Sequence, residues 1–211
     1  KKAIGIKLKN GKKEFSEIVV CNADPAYVYS NMINDKVSGR WNKKKISKLS
    51  FSMGLFVIFF GTKKKYDNVA HHTIWMGKRY KALLDDIFRK QILAKDFSLY
   101  LHRPTATDES MAPKNCDCFY VLSPVPNLQS DINWKKNAEE YKNSILKALE
   151  NTILPNLRKN LKVCFYMTPD DFKNDYLSMN GAGFSIAPIF KQSAWFRFHN
   201  RSENLKNLFF V

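Results

Sequence analysis

His71 and His72, adjacent in AHHTIWMG, are the residues whose type most directly offers chemistry. Two imidazoles could ligate a transition metal. Their surroundings read as a strand, however, where neighbouring side chains point to opposite faces and cannot easily grip one ion. The other histidines, His102 and His199, lie far off in sequence, and no H-E-x-x-H spacing occurs. Ordinary hydrogen-bonded strand residues, and no metal, are the expectation. The cysteines at 21, 116, 118 and 164 contain a C-D-C pair but no C-x-x-C framework. Reduced thiols in a cytoplasmic setting are expected. Asp24 precedes Pro25 at a strand end, the kind of place where open sheets receive cofactors, though such an acid serves as readily in a turn or cap. No G-x-S-x-G elbow supports a hydrolase. No phosphate loop or G-x-G-x-x-G occurs. NGAGF, residues 180–184, reads at least as well as a turn between strands.

The elements that must position these groups follow from periodicity. Residues 3–20 read as a hairpin about Asn10-Gly11, a pair suited to a tight primed turn, with the second strand running straight into VVCNADP. Residues 26–37 look helical. MGLFVIFF, Met53 to Phe60, is too short for a spanning helix and reads as a strand buried on both faces. AHHTIWMG, FSLYLH (97–102) and CDCFYVLSPVP (116–126) read as further strands. Between them Tyr80, Leu83, Leu84, Ile87 and Phe88 share a helix face. Asp131 can cap a helix to about residue 154, with Trp134, Ala138, Tyr141, Ile145 and Leu149 in one stripe. The fold class expected is α+β, a mixed α/β arrangement. Basic loops flank the 51–60 strand, and no secretory leader is visible.

The net charge is +16, which draws attention to anionic partners. There are 28 Lys but only 7 Arg, whereas phosphate and base recognition favours the planar Arg fork. Solvated Lys faces, with weak attraction to an anionic membrane, explain the excess better. A basic nucleic-acid-binding protein is the rival from another class. No recognition-helix or RNP-like pattern supports it, and no nucleic acid is expected as a partner.

Five stretches together carry a resemblance: VVCNADPAYVY, LFVIFFGTKKKYDNVAHHTI, DFSLYLHRPTATDESMAP, YVLSPVPNL and QSAWFRFHNRSENLKNLFFV. In this order the chain resembles the bacterial-type phytoene desaturases, carotenoid-forming members of the flavin amine-oxidase superfamily. The resemblance implies an antiparallel or mixed substrate-domain sheet with helices, plus strands of a truncated Rossmann-like FAD-binding domain. It divides the chain into returning flavin-domain strands (1–30), a substrate domain (31–190) and a strand re-entering the flavin domain (191–211). It implies that the apolar ending NLFFV is a strand leading onward in a longer enzyme. By itself the present stretch is then expected neither to hold FAD tightly nor to turn over.

The implied activity is FAD-dependent oxidation of C–C to C=C bonds in an acyclic C40 polyene. A C30 desaturase, ketolase or isomerase of the same superfamily is the close alternative. The implied partners are that long apolar substrate and a peripheral membrane surface, in the cytoplasm. Carried over by motif, Asn22, Ala23, Asp24 and Arg197 lie near the flavin, and Ser193, Trp195, Phe196 and His199 near the ring or substrate tunnel. Arg197 would place positive charge by the reduced flavin; a local ion pair is its other use. The catalytic residues of the family lie mostly outside this stretch. Phe56, Phe59, Tyr100, Phe119, Trp195 and Phe196 are aromatics that could line an apolar pocket or simply pack the core. The resemblance departs at Phe198, where the family usually has proline, and a looser backbone beside Arg197 and His199 is expected.

Overall fold

The computed structural model describes all 211 residues, Lys1–Val211. In chain order the strands are β1 (Gly5–Lys7), β2 (Lys13–Phe15), β3 (Val19–Cys21), β4 (Gly54–Thr62), β5 (His72–Trp75), β6 (Leu99–His102), β7 (Asp117–Val125), β8 (Leu161–Met167) and β9 (Leu208–Phe210). The α-helices are α1 (Pro25–Tyr27), α2 (Lys43–Ile46), α3 (Tyr80–Asp85), α4 (Trp134–Thr152), α5 (Leu157–Asn160) and α6 (Pro169–Asp175). The mixed class expected from the sequence is the class observed.

Two compact units form, Lys1–Ser52 with Lys173–Val211, and Met53–Phe172. These compact units are drawn differently from the 1–30, 31–190 and 191–211 division. Residues 31–52 and 173–190 belong with the chain ends because Trp41, Ile46, Phe51 and Ala182 share one core with Tyr29, Phe198 and Phe210.

In the first unit β1 and β2 pair antiparallel. The hairpin is as expected, but Lys7 lies opposite Lys13, so its loop is wider than a two-residue primed turn. The second strand does not run on: β3 leaves to pair parallel with β9, Val19 opposite Leu208 and Cys21 opposite Phe210. NLFFV is thus a strand, with Leu208 and Phe210 turned into the core. The helix expected over 26–37 ends early. It runs from α1 through a wider turn at Val28–Met32 and breaks at Ile33, whose φ/ψ are extended. Phe198, where a looser backbone is expected, has its side chain in the core. It is buried, with its ring 4.3 Å from Trp41 and 5.9 Å from Tyr29. An aromatic anchor takes the place of a ring-locked φ.

The second unit is a five-stranded antiparallel sheet in the order β5-β6-β7-β4-β8, with α4 contributing to the core on one face. The predicted stripe is the observed one: Trp134, Ala138, Tyr141, Ile145 and Leu149 are all buried, joined by Leu146. They meet Phe56, Ile58 and Phe60 of β4 and Phe119 and Val121 of β7. Period 2 sets every second residue of these strands toward the helix.

The cap of α4 is Asn133, not Asp131. Its side chain accepts from the Lys136 N–H at 3.2 Å. Asn133→Ala is therefore expected to cost about 1 kcal/mol and Asp131→Ala close to nothing. Urea unfolding of both variants checks this, and equal losses would refute it. The helix expected after Gly77 is also present, but only Leu83 and Ile87 of its stripe are buried, while Tyr80 and Phe88 are exposed.

Candidate functional site

The second face of the five-stranded sheet carries the chemistry-bearing side chains. Since Phe56, Ile58 and Phe60 point to α4, alternation sends Val57 and Phe59 to the other side. The registers then align a row of directly opposed residues across all five strands: Phe165, Phe59, Tyr120, His102 and His72. Phe59 stacks on Phe165 at 5.1 Å and lies 6.0 Å from Tyr120. Tyr120 lies 4.7 Å from His102, which stacks at 5.2 Å on His72. A second row beside it reads Met167, Val57, Leu122, Tyr100 and Ile74. Of the ten, only Val57 is fully buried, while Ile74 and Phe165 are 69% and 56% exposed. The rows form an aromatic and aliphatic surface across five strands, with no Lys, Arg, Asp or Glu among the ten residues. The aromatics listed from sequence divide accordingly: Phe56 and Phe119 are core, Phe59 and Tyr100 lie on this face.

At one end of the surface three histidines converge. Alternation forbids His71 and His72 from cooperating only if both are in the strand. β5 begins at His72, and His71 sits in the bend before it, so its ring is free to turn the same way. His71 Nε2 lies 2.7 Å from His102 Nε2. His71 Nδ1 meets Thr107 Oγ1 at 2.7 Å, and His72 Nδ1 meets the Tyr100 hydroxyl at 2.6 Å. Burial holds the His102 pKa below its ordinary value, and the neighbouring His71 and His72 lower it further. Burial likewise raises the Tyr120 hydroxyl and the Cys118 and Cys164 thiols, and all four cysteines are free.

A buried ion pair fixes this corner. Asp117 accepts from Arg103 Nε at 3.0 Å, Arg103 Nη2 at 3.2 Å, Thr105 Oγ1 at 2.7 Å and the Tyr66 N–H at 2.6 Å. Arg103 also donates to Val69 O, and its N–H to His71 O. The loop that presents His71 is thereby tied to β6 and β7.

The residues proposed for cofactor and substrate lie in the first unit. Ser193, Arg197 and His199 line a cleft of about 350 Å³ with Pro25, Phe184 and Phe210. Arg197 is exposed and forms no ion pair, so the local salt bridge considered for it does not exist. His199 is held by Trp195 O at 2.9 Å and by Glu203, which pairs with Arg40 at 2.5 Å. Trp195 and Phe196 project into solvent, 73% and 51% exposed. Asp24 caps α1 through Ala26 N–H and also accepts from Ser185 Oγ and Met179 N–H. Both its oxygens are thus engaged in holding the turn. Ala23 packs against the core and Asn22 is exposed just beyond β3.

Arg40, Glu203, Arg103 and Asp117 were missed by sequence reasoning. Only the last pair left a trace there, as charged residues at the ends of otherwise apolar strands.

No family model matches the chain. A neurosporene-forming phytoene desaturase of Rhodobacter capsulatus is 46% identical over 215 residues, covering 100% of this chain and 41% of the relative. A lycopene-forming phytoene desaturase of Pantoea ananas is 37% identical, covering 98% and 42%. A 4,4'-diapophytoene desaturase of Methylomonas is 30% identical, covering 99% and 41%. The chain spans about two fifths of the length of these curated relatives. Among solved structures, an oxidoreductase from Methanosarcina mazei superposes with a TM-score of 0.55 at 14% identity, covering 100% of this chain and 40% of that one. That likeness concerns the fold.

Proposed function

We propose that this chain, homologous along its whole length to the bacterial phytoene desaturases, is part of a longer FAD-dependent enzyme that desaturates an acyclic C40 carotenoid precursor. The observation that carries the reading is the uncharged double row of β5–β8. A long polyene has no hydrogen bonds to offer and is recognised by apolar area and aromatic faces. Phe165, Phe59 and Tyr120 give aromatic faces in a line, with Val57 and Leu122 in the row beside them. The higher identity to C40 than to 4,4'-diapophytoene enzymes supports the longer substrate.

The cleft in the first unit fits a flavin in its donor set: Arg197 is a cation without a counter-ion, beside Ser193 and His199. Asn22, just past β3, offers an exposed amide, and Ala23 and Asp24 shape that strand end. When bound, FAD supplies the hydride acceptor for oxidising C–C to C=C. This chain's part is to bind and orient the hydrocarbon, keep water from it, and hold positive charge at Arg197.

Phe184, Ile189, Phe190, Trp195 and Phe196 are exposed beside Lys191 and Arg197, a composition suited to a bilayer interface. We include peripheral contact with a membrane in the reading. No helix is long and apolar enough to cross one.

The test uses the full-length protein that carries this chain, purified and supplied with FAD, an acyclic C40 precursor in liposomes and an electron acceptor. Longer-wavelength polyene absorption, resolved by chromatography, is the expected result. Bound flavin with unchanged precursor would overturn the desaturase reading.

A further inference from the structure

We propose that His71, His72 and His102 form a binding site for a zinc-class divalent cation, held by three ring nitrogens with a fourth position open. The three donors lie within 4.8 Å of one another. Tetrahedral zinc with bonds of about 2.0–2.1 Å sets its donors about 3.3 Å apart. The closest observed pair, at 2.7 Å, and the widest bracket that spacing, so small rotations of the rings reach it.

The outer contacts are already those that orient metal-bound imidazoles. Thr107 Oγ1 engages His71 Nδ1 and the Tyr100 hydroxyl engages His72 Nδ1. Each ring therefore keeps Nε2 for the cation. Thr107 also donates to Pro104 O at 3.2 Å, which leaves its oxygen to accept from His71. The third ring, His102, has a buried Nδ1 with no partner, and its Nε2 faces His71. His72 is exposed, so the site opens to solvent on one side.

The donor set selects the ion. Imidazole without carboxylate suits zinc, copper, nickel and cobalt and not calcium or magnesium. The chain's +16 charge works against any cation held by charge alone. The site sits at the β5 end of the aromatic rows and shares His72 and His102 with them; its assignment rests on the three rings and their partners and needs neither flavin nor polyene.

The chain, prepared without a polyhistidine tag, is titrated with Zn²⁺ by calorimetry and with Co²⁺ by visible absorption. One equivalent per chain and the intense bands of four-coordinate cobalt are expected. His72→Ala and His102→Ala should each weaken binding by about 100-fold or more, and Thr107→Val and Tyr100→Phe by about tenfold. His199→Ala and Cys118→Ser should leave it unchanged. Circular dichroism checks that each variant folds. Should His102→Ala fail to fold, His72→Ala and Thr107→Val still decide. Absence of saturable uptake, or uptake indifferent to these substitutions, would overturn the proposal.

Discussion

Asp117→Ala is expected to destabilise the sheet unit by about 3–5 kcal/mol, the scale for removing one partner of a buried ion pair. The Arg103 and Asp117 side chains are 4% and 0% exposed. Alanine at 117 leaves the guanidinium buried without its carboxylate and strips partners from Thr105 Oγ1 and the Tyr66 N–H. The remaining contact of Arg103 to Asp67 does little, since Asp67 is 80% exposed. The joint replacement Arg103→Met with Asp117→Leu should recover most of the loss, because no charge is then buried. Urea unfolding followed by tryptophan fluorescence reads the difference through Trp75 and Trp134. A loss below about 1 kcal/mol for Asp117→Ala would show that the pair is not what ties the loop down. The same variant should also loosen His71, whose backbone oxygen accepts from Arg103 N–H.

The second large effect separates two phenylalanines three positions apart on β4. Phe56→Ala should cost about 3–5 kcal/mol. Phe56 is fully buried, with Trp134 at 5.5 Å, Tyr141 edge-on at 5.1 Å and Tyr166 at 5.3 Å. Phe59→Ala, on the opposite and partly exposed face, should cost about 1 kcal/mol. Function should reverse the order. In the full-length enzyme, Phe59→Asp puts a carboxylate in the middle of the apolar row, and contact with a polyene would bury that charge without a partner. Precursor binding should fall by at least about tenfold, equal to about 1.4 kcal/mol, in a protein that still folds. Liposome co-sedimentation with the precursor and a thermal melt measure the two quantities separately. If Phe59→Asp binds and converts precursor normally, the row is not the polyene surface.

Much of this chain could be read locally. The stripe of α4 was legible from its i, i+3, i+4 spacing, Leu146 alone excepted. The strands at 72–75, 99–102 and 117–125 lay within the runs expected for them, and that at 54–62 ran two residues past Phe60. Phe56 and Phe59 were grouped together as pocket or core aromatics, and only the sheet set them on opposite faces. The hairpin was legible, its loop length was not, since Asn10-Gly11 chemistry allows several turns and the Lys7–Lys13 register chose among them.

The candidate sites were legible in parts only. Ser193, Arg197 and His199 are close in sequence and do share a cleft, but Asp24 proved to be occupied with capping and turn bonds. The sequence by itself determined the kinds of elements and the aromatic and Lys-rich character of their surfaces, because side-chain period and composition are local properties. Tertiary structure alone decided that β3 meets β9 across the chain, that Arg103 finds Asp117, and that His102 arrives beside His71 and His72. Strand register between distant segments is set by packing of one face against a core, and no period within either segment encodes the partner.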